Sequence, residues 1–183
     1  MSQSTTRRAE SPAIETIYTL MGRLLGMPLS SEADALRVSR TGIPASHFVA
    51  VAKRLNLSVD AIGAPSTMRR RLKNAAKFVR KDEHGHLIVH VHDAAGREET
   101  ESPETTSEDL LTPVESERLV RLARVYSEAT QLFGDEQAAL AWLNTPADYL
   151  QDDNPTTPMK LAESDSGARI VEALLQRTAY GVF

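Results

Sequence analysis

Apolar residues recur every three or four positions along most of the chain, which is the spacing of an amphipathic α-helix. Ser, Thr or Pro at the starts of these stripes and Gly or Asn at their ends mark helix boundaries. In the N-terminal half the pattern predicts helices over residues 12–25, 32–39, 44–55, 59–62 and 66–79, the last two with Ser58 and Ser66 as N-caps. The fold class that this pattern predicts is all-α.

The C-terminal part shows the same spacing with clearer boundary residues. Thr112, Pro113 and Glu115 combine an N-cap, a proline in the first turn and the glutamate of a capping box. Three further helices are predicted to follow the N-caps Asp135, Thr157 and Ser164. A helical C-terminal module is therefore expected.

One segment between these halves has the alternation of a β-strand. Residues 87–92 alternate in hydrophobicity between two turn segments, which predicts a possible small β-hairpin with residues 78–81. Residues 98–109 follow with six acids among twelve positions, together with Ser, Thr and Pro. That composition is typical of a flexible acidic linker rather than a packed element.

Composition excludes several classes of protein. The 183 residues include no cysteine, which excludes a disulfide framework, a thiol nucleophile and an iron–sulfur cluster. No apolar run is long enough to cross a bilayer, and the first residues lack the apolar core of a secretory signal. Phosphate-loop, H-E-x-x-H and G-x-S-x-G motifs are missing. We expect a cytoplasmic binding protein that is not an enzyme, with no cofactor and no membrane partner.

The charge is divided unevenly along the chain. Residues 1–81 carry 14 Lys and Arg against 5 Asp and Glu, whereas residues 82–183 carry 7 against 20. Seven of the cations lie within residues 69–81, where there is no acid. A basic half joined to an acidic half indicates two partners of opposite charge, and the basic cluster favours nucleic acid as one of them.

The basic helix predicted over residues 66–79 follows a short helix and a glycine-containing turn, which is the order of a helix-turn-helix. With Met68 facing the core, Arg70 and Lys73 face the opposite side and can enter the major groove. The arginines on either side of Arg70 can hold phosphates. The predicted DNA-binding residues are Ser66, Thr67, Arg69, Arg70, Arg71, Lys73 and Asn74. The alternative is a surface helix whose arginines interact only with solvent.

Four histidines would share one face of a continuous strand, at His84, His86, His90 and His92. Imidazoles at this spacing can bind zinc or nickel, which leaves a metal-responsive sensor as a weaker alternative. Gly85 interrupts the strand and no acidic partner is fixed nearby. An exposed strand face without a metal is the favoured interpretation.

Six short motifs of the C-terminal part occur together in a known family. They are SERL at 116–119, FGD at 133–135, ALAWL at 139–143, TP at 145–146, GARIVEALL at 167–175 and YGVF at 180–183. With these motifs the chain resembles the toxin-binding domain of the Xre/MbcA/ParS antitoxin family. The segment upstream is similar to that family's Xre-type helix-turn-helix.

This resemblance implies an antitoxin that covers the NAD pocket of a RES-domain toxin, a toxin that consumes NAD or transfers from it. It also implies binding to operator DNA at the nucleoid, repression of the chain's own operon and a homodimer within a larger hetero-oligomer. The toxin-binding residues expected are Arg169, Arg177, Tyr180, Gly181, Val182 and Phe183. The alternative is a stand-alone helix-turn-helix transcriptional regulator without a toxin partner.

Pattern and resemblance together predict four segments. Residues 1–12 are expected to be a disordered tail and residues 13–80 a helix-turn-helix DNA-binding and dimerisation domain. Residues 81–111 are expected to be an insertion that includes the acidic linker, and residues 112–183 the toxin-binding domain. Because the acidic part has little apolar surface to bury, we expect the linker to be dispensable for toxin neutralisation.

Overall fold

A computed structural model describes residues 15–58, 60–75, 79–81, 87–89, 110–151 and 154–180. In these ranges the chain is mostly helical, which confirms the all-α class, and it includes one two-stranded hairpin. The elements in chain order are α1 (Ile17–Leu25), α2 (Glu32–Thr41), α3 (Ala45–Leu55), α4 (Pro65–Ala75), β1 (Val79–Lys81), β2 (Leu87–Val89), α5 (Pro113–Phe133), α6 (Glu136–Leu143), α7 (Pro158–Leu161) and α8 (Asp165–Tyr180).

The helix boundaries of the C-terminal part are confirmed by the hydrogen bonds of their caps. The Thr112 side chain accepts from the backbone N–H of Glu115 at 3.3 Å, and the Glu115 carboxylate accepts from the backbone N–H of Thr112 at 2.7 Å. This reciprocal pair satisfies two donors that the first turn of α5 would otherwise leave unpaired. The side chains of Asp135, Thr157 and Ser164 likewise accept from backbone N–H groups in the first turns of α6, α7 and α8.

Three details of the helices predicted in the N-terminal half are wrong. Residues 15 and 16 are not helical, because α1 begins at Ile17 with the extended Thr16 as its N-cap, and the predicted start at residues 11–12 lies outside the described residues. Residues 60–62 form a turn instead of a short helix. Helix α4 begins at Pro65, so Ser66 lies inside the first turn and is not the N-cap. Proline suits the first helical position because its missing N–H would be unpaired there anyway.

The far end of the basic segment also differs from the prediction. Val79 belongs to β1 and not to a helix. It pairs with Val89 in an antiparallel ladder that continues through Arg80–Ile88 and Lys81–Leu87. The hairpin expected between these segments is thus confirmed, and it packs against α3.

Helix α5 is the centre of the core. Its buried residues include consecutive positions such as Leu122 and Ala123 or Val125 and Tyr126, so the helix is covered on most sides. Helices α1, α2, α6 and α8 all pack against it. A helix surrounded in this way needs apolar residues around most of its circumference, which is why its pattern is broader than a single stripe.

The helices before and after residues 81–111 share one apolar core in the described part of the chain. At their junction Leu111 is buried, and its backbone N–H donates to the carbonyl of Ile43 at 2.8 Å. The Ser116 hydroxyl accepts from the backbone N–H of Ile43 at 3.0 Å. Because the helices on both sides of residues 81–111 pack together, the division of the chain into four segments stays a prediction about the function of each segment.

The tail at 1–12 and the acidic residues 98–109 lie outside the described residues. None of the helices described is both long and apolar enough to span a membrane.

Candidate functional site

The predicted DNA-binding helix α4 presents one described arginine to solvent. Arg69 and Ser66 are exposed and Thr67 is partly exposed, whereas Met68 is fully buried as expected. The side chains of Arg70, Lys73 and Asn74 lie outside the part of the chain that the structure describes, although their backbone belongs to α4. The DNA contacts proposed for these three side chains stay predictions.

Arg71 of the same helix is engaged within the chain. Its guanidinium forms an ion pair with the carboxylate of Glu115, and the two side chains are only 16% and 10% exposed. Glu115 is the capping-box residue at the start of α5, so this pair joins α4 to the first turn of the central helix. Local patterns could not have indicated it, because the two residues are 44 positions apart.

The loop before α4 is held by the same part of α5. Arg118 donates to the backbone carbonyl of Ile62 at 3.0 Å. A β-carbon placed on Gly63 would lie 2.9 Å from an oxygen of Glu115 and 3.2 Å from the Cγ of Met68. Gly63 therefore permits the close approach of this loop to α5. The sequence analysis placed Arg118 in the SERL motif and did not predict its hydrogen bond to Ile62.

Three of the six residues expected to bind a toxin lie on the exposed side of α8. Arg169, Arg177 and Tyr180 are all exposed, while Val171 and Leu175 are buried against the core. At about 100° per residue, Arg169 and Tyr180 lie within roughly 20° of one another around the helix. They are eleven positions apart, which is about 16 Å along the axis. Gly181, Val182 and Phe183 lie outside the described residues.

A groove of about 360 Å³ lies between α2, α5 and α8, and Arg169 forms part of its wall. Arg169 makes an exposed ion pair with Asp165 at 3.2 Å, one turn earlier. Leu36 of α2 lines the same groove and is 50% exposed. The groove therefore combines an apolar side chain with charges of both signs.

A cluster of ion pairs outside this groove joins the three helices α1, α3 and α6. Glu136, in the first turn of α6, accepts hydrogen bonds from Arg54 of α3 and from Arg23 of α1, the latter at 3.2 Å. Burial raises the pKa of Glu136, but the hydrogen bond from Arg54 and the charges of both arginines outweigh it and hold that pKa below its ordinary value. The cluster links α1 and α3 to the first turn of α6.

A second acid has the opposite shift. Burial, with the charge of Glu172 on α8 as a further cause, raises the pKa of Glu128 on α5 to about 7, which Arg124 only partly offsets. Two carboxylates close to each other at a partly buried interface disfavour ionisation of one of them.

Among the described residues no group of acids and histidines is arranged to hold a metal ion. The four histidines of the predicted strand face lie outside those residues.

Comparison with known proteins finds a match for the C-terminal part of the chain. Residues 128–181, from the end of α5 through α8, match the family model of the antitoxin Xre/MbcA/ParS C-terminal toxin-binding domain. This family is defined by binding to a toxin and not by catalysis.

A particular relative is the antitoxin Xre of Yersinia enterocolitica serotype O:8 / biotype 1B (strain NCTC 13174 / 8081). The chain is 39% identical to it over 79 residues, which are 43% of this chain and 51% of the relative. The chain thus spans about half the length of the curated relative that it matches.

Proposed function

We propose that the chain is an antitoxin of a type II toxin–antitoxin system that binds and covers a RES-domain toxin. The observation that carries the proposal is the match of residues 128–181 to a toxin-binding domain whose last helix presents an exposed face. Tyr180, at the end of α8, is 83% exposed. A large aromatic side chain with no role in the core is typical of a residue that contacts a partner.

The toxin-binding face is formed by Arg169, Arg177 and Tyr180 with the following residues Gly181, Val182 and Phe183. The arginines bind the rim of the toxin's NAD pocket, and the aromatic residues enter it, since such a pocket is concave and partly apolar. In the same chain α4 binds operator DNA and represses the operon as part of a homodimer within a larger complex. Arg69 supports this role because it is an exposed cation on the predicted DNA-binding face.

The proposal requires a RES-domain protein encoded beside this chain, and co-expression with that protein tests it. The full chain should co-purify with that protein and restore growth of cells that produce it. Removal of residues 180–183 should abolish protection while helical content and DNA binding stay unchanged. A truncated chain that protects as well as the full chain would show that inhibition comes from elsewhere. DNA binding without any toxin complex would favour the stand-alone regulator.

A further inference from the structure

The adjacent arginines of α4 have different surroundings. Arg69 is exposed, whereas the Arg71 side chain is 16% exposed and paired with Glu115. At about 100° per residue, Arg69 and Arg71 lie roughly 160° apart around the helix. Arg71 lies only about 60° from the buried Met68 by the same geometry. A DNA backbone that contacts Arg69 therefore lies on the side of α4 away from Arg71.

The Glu115 carboxylate, which is the partner of Arg71, depends on this ion pair. The Glu115 side chain is 10% exposed and accepts from the backbone N–H of Thr112 at 2.7 Å as well as from Arg71. A carboxylate at this depth is tolerated only when its charge is paired and its oxygens accept hydrogen bonds. A charge-assisted hydrogen bond of this kind is stronger than a neutral one, and it fixes the direction of the guanidinium.

Two further contacts hold the beginning of α4 at the same place. Arg118, one turn after Glu115, donates to the carbonyl of Ile62, and Gly63 lets this loop lie directly against the Glu115 carboxylate. The ion pair, the hydrogen bond and the close approach all join α4 or its preceding loop to the first two turns of α5. Together they determine how α4 is tilted relative to the rest of the molecule.

We propose that Arg71 is a positioning residue of the DNA-binding helix, which it fixes through Glu115 at the start of α5, and that it does not contact phosphate itself. This proposal rests on the proposed binding of DNA by α4. The orientation of that helix is then set by the first helix of the predicted toxin-binding domain. On α4, Arg69 then faces the DNA and Arg71 faces the rest of the protein.

Electrostatics and positioning predict opposite effects of one substitution. Glu115→Gln removes a negative charge near a surface that binds an anionic polymer, so charge alone should strengthen DNA binding. If Glu115 instead holds Arg71 and thereby α4, the same substitution should weaken binding. Thr112 and Arg71 donate to the same oxygen of Glu115, so glutamine keeps an acceptor for the cap of α5 and removes the charge that strengthens the bond from Arg71.

The experiment measures binding of the full chain to a duplex of its own promoter region at several salt concentrations. Glu115→Gln and Arg71→Ala should each weaken binding about tenfold, close to a 1.4 kcal/mol change, and the double variant should be no weaker than Arg71→Ala. Arg71→Ala should leave the salt dependence unchanged, whereas Arg69→Ala should lower its slope by about one. Glu117→Gln is the matched control, because Glu117 is an exposed acid of α5 whose described ion pair is with Arg121 of its own helix.

Provided that the wild type binds DNA, two results would overturn the proposal. One is a Glu115→Gln variant that binds as tightly as Glu117→Gln, and the other is a lowered salt slope for Arg71→Ala. If Glu115→Gln is unfolded by circular dichroism, the salt slope of Arg71→Ala decides by itself, because loss of a direct phosphate contact lowers the slope by about one and loss of a positioning residue leaves it unchanged. A wild type that binds no DNA would overturn the proposed DNA binding and this inference together.

Discussion

The backbone of Gly167 in α8 lies directly against the backbone of Leu161 at the end of α7. A β-carbon on Gly167 would overlap the Leu161 carbonyl oxygen and lie 2.7 Å from its carbonyl carbon. Since both obstacles are backbone atoms, no side-chain rotation can relieve the overlap. The glycine at this position of the family motif is thus explained by the close packing of α7 on α8.

Gly167→Ala should therefore destabilise the protein. Alanine is favoured over glycine inside a helix by up to about 1 kcal/mol, but forcing a methyl group into a packed site costs about 1–3 kcal/mol. The backbone overlap makes the second effect dominate, so the midpoint of urea unfolding should fall. The neighbouring exposed Ser166→Ala should change the free energy of unfolding by less than about 0.5 kcal/mol. Equal midpoints for the two variants would contradict this account.

The Glu136 cluster should contribute stability only where the carboxylate is ionised. Burial raises the pKa of Glu136, but Arg54 and Arg23 lower it by more, so the pKa in the folded state is below the ordinary value. A carboxyl group with a lowered folded pKa contributes stability above its unfolded pKa of about 4.3, and this contribution is lost as pH falls through the folded pKa. Glu136→Gln should thus unfold at lower urea than wild type at pH 7, and the difference should vanish in acid. Glu117→Gln serves as the exposed control.

Glu128 should show the opposite dependence on pH. Burial and Glu172 raise its pKa to about 7 in the folded state. The folded state then binds more protons than the unfolded state between about pH 4.3 and 7, so stability falls as pH rises through this interval. Glu128→Gln should raise the free energy of unfolding at pH 8 and have little effect at about pH 4, below both pKa values. The same gain at both pH values would mean that Glu128 is ionised throughout.

Local hydrogen bonds explain which parts of the fold could be predicted from the sequence. The caps Thr112, Asp135 and Thr157 each accept from a backbone N–H three residues ahead, so the sequence around each one contains the whole interaction. The prediction failed at Ser66, where Pro65 occupies the first helical position and excludes a cap one residue later. It also failed at Val79, whose strand depends on pairing with Val89.

The candidate sites were predicted only as far as they depend on one helix. The exposed positions of α8 follow from its helical period, and the structure places Arg169 and Tyr180 on one side as that period requires. The pairing of Arg71 with Glu115 and of Arg54 with Glu136 joins residues 44 and 82 positions apart. Such pairs depend on tertiary packing, which no local pattern contains.

Tyr180 gives the sharpest test of the proposed toxin-binding face. It is the last residue of α8 and is 83% exposed, so its ring contributes little to the folded state. Tyr180→Ala should change the free energy of unfolding by less than about 0.5 kcal/mol. A tyrosine that enters a partner's pocket, however, typically accounts for about 2 kcal/mol of binding, so affinity for the toxin should fall about 30-fold.

The control for this prediction is a second exposed apolar residue away from α8. Leu150, between α6 and α7, is 46% exposed, and Leu150→Ala should leave both stability and toxin affinity unchanged. Titration calorimetry with an inactivated RES-domain toxin measures the affinities directly. If Tyr180→Ala and Leu150→Ala bind equally well, the end of α8 is not the contact surface. If only Tyr180→Ala loses affinity, the exposed ring is a main contact with the toxin, because nothing in the fold requires it to be there.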